Sequence, residues 1–141
     1  MNNKQAGNNF EREFCEQLAQ DGFWAHFMGG NKNGQPADII AVRNENAYLI
    51  DAKDCENDRF VFSRIEDNQD SAMRLWELCG NNQGLFALRT SEGVYMLKYG
   101  VIQALEALGH KSLNMMQIRA NSTPYKLWKG GEEWILNLAM K

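Results

Sequence analysis

Pro36-Ala37-Asp38-Ile39-Ile40-Ala41-Val42-Arg43-Asn44-Glu45-Asn46-Ala47-Tyr48-Leu49-Ile50-Asp51-Ala52-Lys53 is the stretch whose reading decides the fold. Two runs rich in β-branched and aliphatic residues flank the polar Arg43-Asn44-Glu45-Asn46, a pattern that predicts a β-hairpin. With Asn44-Glu45 as a two-residue loop, Arg43 faces Asn46. Stepping outward then sets Val42 opposite Ala47, Ile40 opposite Leu49, and Asp38 opposite Asp51. Directly opposed residues have Cβ atoms about 4.5–5.5 Å apart, and Lys53 projects from the same face about 6.8 Å beyond Asp51. Three ionisable groups are thus predicted to converge.

Two carboxylates about 5 Å apart repel by roughly 3 kcal/mol at an effective dielectric near 20, whereas a cross-strand pair contributes at most about 1 kcal/mol. Stability alone does not select such an arrangement. A divalent cation, a shared proton or full solvation has to offset the repulsion, and the apolar neighbours argue against solvation. Oxygen-only ligands favour Mg²⁺ or Mn²⁺. The plainer alternative is a solvated strand face carrying three scattered charges.

Working outward, Gly7-Asn8-Asn9 precedes the helical run Phe10-Glu11-Arg12-Glu13-Phe14-Cys15-Glu16-Gln17-Leu18-Ala19, with Asn8 or Asn9 as the expected N-cap. Phe14, Cys15 and Leu18 follow Glu11 by three, four and seven positions, which sets Glu11 on or beside the apolar stripe. Its spacing from Asn8 also imitates a capping box, so it reads equally as a site carboxylate or a capping partner. On the other side of the hairpin, Ser63-Arg64-Ile65-Glu66 offers a capping box for a helix expected over 64–79, and Gly80 marks its end. Gln69 lies four after Ile65 and three or four before Ala72 and Met73, so its amide is expected near the core or a cleft. A role in capping a backbone group is the competing reading.

This ordered set resembles the PD-(D/E)XK nuclease superfamily, and within it the Holliday junction resolvases of the archaeal and RecU-like types. Gly7 to Glu13 looks like the family's opening helix, Pro36-Ala37-Asp38 like its proline-preceded aspartate, Asp51-Ala52-Lys53 like its (D/E)-x-K tripeptide, and Ser63 to Gln69 like the segment with the helix glutamine. Gly84 to Lys98 resembles the closing pair of strands. The resemblance covers about residues 4–98. Asp51 stands where the family often has Glu, an insertion found before Pro36 in some members is not obvious, and 99–141 has no match.

The resemblance implies an α/β fold with a restriction-endonuclease-like core, a mixed β-sheet of about five strands flanked by helices. It further implies hydrolysis of DNA phosphodiesters with Mg²⁺, for which Mn²⁺ substitutes. Glu11, Asp38, Asp51 and the backbone carbonyl of Ala52 would hold metal. Lys53 would add positive charge at the transition state and help position or deprotonate water, and Gln69 would orient that water or Lys53. An ammonium beside metal-bound carboxylates makes electrostatic sense once an anionic phosphate arrives between them.

The expected order of elements is a helix over 10–21, a strand over 24–28, hairpin strands over 37–42 and 47–53, a helix over 64–79, and strands over 85–89 and 94–98. Residues 1–98 are expected to form the nuclease core, with 99–141 completing the same domain or a dimer interface. Val101, Ile102, Leu105 and Leu108 suggest a short helix ending near Gly109. Trp128 and Trp134 on the tail need cover, either from the core or from a second subunit.

The 141 residues, 44% of them hydrophobic, suit one domain. Cys15, Cys55 and Cys79 show no CxxC spacing, and no apolar span or leader-like stretch is evident, so a cytoplasmic protein without membrane attachment is expected. Isolated His26 and His110 make zinc and acyl-transfer chemistry poor fits. The net charge of −3 excludes a uniformly basic DNA-binding surface, so local cations must serve. Lys4, Arg12, Lys32 and Arg64 are the expected phosphate contacts, with Arg43 and Arg59 also assigned near the site. The loop Gly29-Gly30-Asn31-Lys32-Asn33-Gly34-Gln35 could approach a DNA backbone closely.

These expectations converge on a structure-selective endonuclease that resolves four-way DNA junctions, acting as a homodimer because symmetric cutting needs two sites related by a two-fold axis. The alternatives are another nuclease of the superfamily acting on duplex or flap DNA, in restriction, repair or phage biology, and a non-catalytic DNA-binding protein of the same fold.

Overall fold

The hairpin register follows the alternation just described. In the computed structural model, which describes residues 3–29, 37–82 and 84–128 (3–8 by backbone only), strands β2 (Ile39–Arg43) and β3 (Asn46–Asp54) are antiparallel, with Arg43 facing Asn46, Val42 facing Ala47 and Ile40 facing Leu49. Asn44 (φ 51°) and Glu45 (φ 68°) both occupy the left-handed region, as a tight two-residue hairpin loop demands. Asn tolerates that conformation readily; Glu accepts it because the ladder on either side fixes the turn.

Around this hairpin the chain runs α1 (Asn3–Gln20), β1 (Trp24–Phe27), β2, β3, β4 (Phe60–Val61), α2 (Asp67–Leu78), β5 (Leu85–Thr90), β6 (Gly93–Lys98), α3 (Tyr99–Ala107), β7 (Ser112–Leu113), α4 (Met115–Asn121), β8 (Thr123–Pro124) and α5 (Tyr125–Trp128). Among the described residues the main sheet has six strands in the order β1-β2-β3-β5-β6-β8. Only β3 and β5 in it are parallel, joined by a crossover that contains α2; β4 and β7 form a small second ribbon. The architecture is α/β with a mixed sheet, as expected, and β8 adds an edge strand. Pro124 is tolerated there because an edge position leaves its missing N–H unneeded.

Alternation along β3 divides the core in two. Ile50 and Ala52 join Phe10, Phe14 and Leu18 of α1, together with Leu85, Ala87 and Tyr125, on one face. Leu49 joins Phe60, Met73, Phe86, Leu88, Leu97 and Ile102 on the other. Helix α2 sits so close to β5 that a Cβ on Gly84 would collide with Met73 Sδ. The middle of the central strands is therefore dry on both faces, and a charge placed there must find partners within the protein.

Three local expectations are corrected. Helix α1 continues through Asn8 and Asn9, so neither caps it and the capping role for Glu11 disappears. Helix α2 begins at Asp67, because Phe62, buried in the core, holds Phe62–Arg64 in a 3₁₀ turn and Ile65 stays extended. The capping box is therefore Glu66-x-x-Gln69, with Gln69 Oε1 accepting from Glu66 N–H at 3.1 Å. Arg43 lies at the hairpin turn, about 17 Å along β2 from Asp38, and is engaged with Asp21 O (2.7 Å) and the Phe23 ring.

Trp128 packs back on its own core, stacked on Phe23 (centroids 5.5 Å apart) and edge-on to Tyr48 (5.1 Å). Tyr99 and Ile102 of α3, Leu113 and Ile118 are also buried in the α2-side cluster, so 99–128 contributes core to the sheet. Trp134, Lys32 and the loop from Gly30 to Gln35 lie outside the described residues. Among those described, no helix is long and apolar enough to cross a membrane.

Candidate active site

Asp38 precedes β2, just outside the last paired residues Ile39 and Ile50: its N–H donates to Ile50 O at 3.2 Å, and its Oδ2 accepts from Ala52 N–H at 2.8 Å. Strand pairing ends at Ile39 with Ile50, and beyond it the Asp51 carboxyl acts on that of Asp38 both through its charge and as a side-chain hydrogen-bond partner. Asp51 is only 1% exposed. Its Oδ1 accepts from Gln69 Nε2 at 3.0 Å, while Oδ2 lies 3.0 Å from Lys53 Nζ without the alignment of a hydrogen bond. That leaves a buried anionic oxygen with an ion-pair neighbour but no directed donor, an arrangement rare in a core that serves stability alone.

Lys53, 13% exposed, has two hydrogen-bond acceptors, Gln69 Oε1 (3.3 Å) and the backbone carbonyl of Arg64 (3.3 Å), beside its ion-pair neighbour Asp51 Oδ2. Gln69 thus serves three groups, since Oε1 also accepts from Glu66 N–H. Capping and site support, which sequence posed as alternatives, are both done by this one amide. Arg64 Nη1 donates to Asp54 O at 2.9 Å, so the 3₁₀ turn is fastened to β3 by its side chain as well as its carbonyl.

Helix α1 carries Glu11 within electrostatic reach of Asp51, Lys53 and Asp38. Burial first, and then the charge of Asp51, raises the Glu11 carboxyl above its ordinary range. For Asp38, burial, Asp51 and Glu11 act in the same direction and push it up to about 9, against the lowering effect of the Ala52 N–H bond. Asp38 therefore keeps a proton at neutral pH in the metal-free protein, the shared-proton solution to the repulsion anticipated from sequence.

The donors are all oxygens, one of them orphaned, and the carboxyls repel; both features fit a hard divalent cation. Asp38 and Asp51 supply the interacting pair. Glu11 stands nearby without closing a cage, and among the described residues no three His, Cys, Asp or Glu side chains are grouped tightly enough to hold a metal ion as they stand. The Ala52 N–H is committed to Asp38.

The expected phosphate contacts are less concentrated. Exposed Arg12 stacks its guanidinium over the Phe27 ring at 4.9 Å, and exposed Arg64 flanks the Lys53 end of the cluster. Arg59 is tied to Ser112 Oγ (2.6 Å). The side chain of Lys4 lies outside the described residues. Sequence reasoning passed over Arg64's carbonyl, since any residue supplies one, and Arg89, whose partners are distant in the chain.

Paired carboxyls, an ammonium and an amide gathered on a mixed α/β sheet are groups able to engage a cation and the oxygens of a phosphate ester. The family model described as archaeal Holliday junction resolvase (Hjc) matches residues 2–106, and the chain belongs to that family. It is accordingly a nuclease of the junction-resolving kind, acting on DNA in recombination and repair, and such nucleases in general depend on divalent metal. The structure of Hjc from Archaeoglobus fulgidus, a Holliday junction resolvase from an archaeal hyperthermophile, matches with a TM-score of 0.66 at 17% identity, covering 88% of this chain and 100% of that one. At that identity the likeness speaks for the fold. No curated protein sequence matches.

Proposed function

We propose that this chain is a Mg²⁺-dependent PD-(D/E)XK endonuclease that resolves four-way junctions as a homodimer, with Glu11, Asp38, Asp51, Lys53 and Gln69 as its catalytic set. The observation that carries the reading is the coupling of the Asp38 and Asp51 carboxyls, Asp38 standing just before β2 and Asp51 on β3, with Lys53 Nζ 3.0 Å from Asp51. Glu11, Asp38, Asp51 and the Ala52 carbonyl would hold the cation, with Mn²⁺ as a substitute. When bound, the ion polarises the phosphate and lowers the pKa of water.

The rest is done by the chain's own groups. Lys53, held by two hydrogen-bond acceptors and its ion pair with Asp51, is positioned to meet the developing negative charge on phosphate oxygens and to orient the attacking water. Gln69 fixes Asp51 and Lys53 relative to each other, so that neither rotates away when a phosphate displaces one contact. Lys4, Arg12, Lys32 and Arg64 would neutralise backbone phosphates without reading sequence. Exposed Leu75 and Leu78 on α2 and Trp24 on edge strand β1 support a second copy as partner.

The test is cleavage of labelled four-way, flap, duplex and single-stranded DNA with Mg²⁺. Paired symmetric nicks in the junction are expected. Asp51→Asn should abolish them while junction binding in chelator persists; undiminished turnover in that variant removes the site, and equal cutting of duplex would reassign the substrate. Light scattering checks the dimer.

A further inference from the structure

Behind the site, on the α1 face of the same strands, Arg89 of β5 makes a second set of contacts. Its Nε donates to Asp54 Oδ1 (3.1 Å) and its Nη2 to Asp54 Oδ2 (2.6 Å), a two-pronged grip on the residue after Lys53. Nη1 lies 3.5 Å from Glu13 Oε2, and the guanidinium covers the Phe10 ring at 4.6 Å. Phe10 precedes Glu11 directly and Glu13 follows it by two. One side chain therefore touches both flanks of Glu11 and the neighbour of Lys53. Cys55 N–H donates to Arg89 O at 2.9 Å, which anchors the end of β3 to the same residue.

We propose that Arg89 is a positioning residue that locks the Glu11-bearing turn of α1 to the Lys53-bearing end of β3, and so sets how well the carboxylates gather a divalent ion. The inference rests on the reading of Glu11, Asp38 and Asp51 as metal ligands. Helix α1 otherwise meets the sheet through Phe10, Phe14 and Leu18, and apolar packing is non-directional, so it leaves slide and rotation of the helix open. A planar fork bound to one carboxylate and stacked on a ring removes that freedom. An ion pair at this degree of exposure is a weak source of stability, which makes orientation its main effect.

Three variants of the full chain test this by Mn²⁺ titration in a calorimeter and by cleavage kinetics on a four-way junction. Arg89→Lys keeps charge and aliphatic cover while losing the fork; it should fold like the parent, weaken Mn²⁺ binding about tenfold, and lower kcat about tenfold with KM within about twofold. Glu11→Gln alone should also weaken Mn²⁺ binding. In the double variant the Arg89 change should add nothing further, because its effect runs through Glu11. Parent-like Mn²⁺ affinity in a folded Arg89→Lys protein, or losses that multiply in the double variant, would overturn the proposal. Asp51→Asn serves as the control for the underlying reading: if it too leaves Mn²⁺ binding intact, the metal site itself fails, whereas loss in Asp51→Asn alone refutes only the role of Arg89.

Discussion

The two faces of the central sheet treat charge in opposite ways. On the α2 face, Asp51 is 1% and Lys53 13% exposed, so protein groups rather than water surround their polar atoms, and Asp51 Oδ2 has no hydrogen-bond donor. On the α1 face, Arg89 is 32%, Asp54 26% and Glu13 67% exposed, so water does part of the solvating. Each face sets a cation against carboxylates at similar distances. What differs is desolvation, and with it the strength of each interaction and the cost of leaving one unmade. On the proposed reading, charge is buried where the reaction calls for a strong, preorganised field and left half-wet where it orients a helix.

The largest break in this contrast should come from Lys53→Ala. Removing the ammonium leaves Asp51 buried against Asp38 with only Gln69 to support it, and loss of one partner from a buried pair costs about 3–5 kcal/mol. Urea unfolding in chelator should register that loss, and junction cleavage should fall by at least about 10³-fold. A stability change below about 1 kcal/mol would mean that the α2 face is wetter than its geometry.

Asp38→Asn should move stability the other way. A carboxyl at about 9 in the fold and 3.8 when unfolded takes up a proton on folding, so the metal-free protein should lose stability as pH rises through the window between those values. Below about pH 4 the effect vanishes. Asparagine still accepts from Ala52 N–H but does not titrate, so this substitution should flatten the profile and stabilise the metal-free protein by about 1–3 kcal/mol at pH 8, while cleavage is lost. Thermal melts from pH 4 to 9 in chelator make the comparison, and an unchanged slope would show that another group carries the proton. Adding Mg²⁺ should remove the same slope from the parent, since the ion favours the carboxylate form.

Gln69→Ala ranks next. It strips a donor from Asp51 and an acceptor from both Lys53 and Glu66 N–H, which together should cost about 1–3 kcal/mol and lower activity about 10–100-fold. Circular dichroism distinguishes its two duties. Fraying of the first turn of α2 without loss of cleavage would make the amide a cap alone.

The hairpin half of this site was legible from the chain because side-chain period and loop length leave a strand little choice of register. Asp51 and Lys53 therefore share a face as alternation put them, while Asp38 stands just beyond the last paired residues, its N–H on Ile50 O. The start of α2 was not legible, since Ser63-x-x-Glu66 is the stronger local signature and was overridden by Phe62, which the core draws in, leaving the less favoured Glu66 as the cap. Gly7-Asn8-Asn9 likewise reads as a helix start, yet the helix propagates through it. β8 is two residues long and exists only as partner to Tyr95 and Met96, contacts that no local pattern announces. Arg89 belongs with these: its partners are 35 positions away on β3 and on α1, and a lone arginine in a strand looks like any solvated charge.

The smallest effect belongs to the α1 face and sharpens the comparison from its wet side. Glu13 is largely exposed and 3.5 Å from Arg89, a separation at which solvent screens most of the attraction. Glu13→Ala should change stability by less than about 0.5 kcal/mol and leave Asp54 still gripped by Arg89. If Arg89 acts through its fork on Asp54 and its stack on Phe10, cleavage should hold within about twofold. A loss approaching that of Lys53→Ala would mean that the α1 face, for all its water, carries charge coupling as strong as the buried one, and desolvation would no longer explain why the two differ.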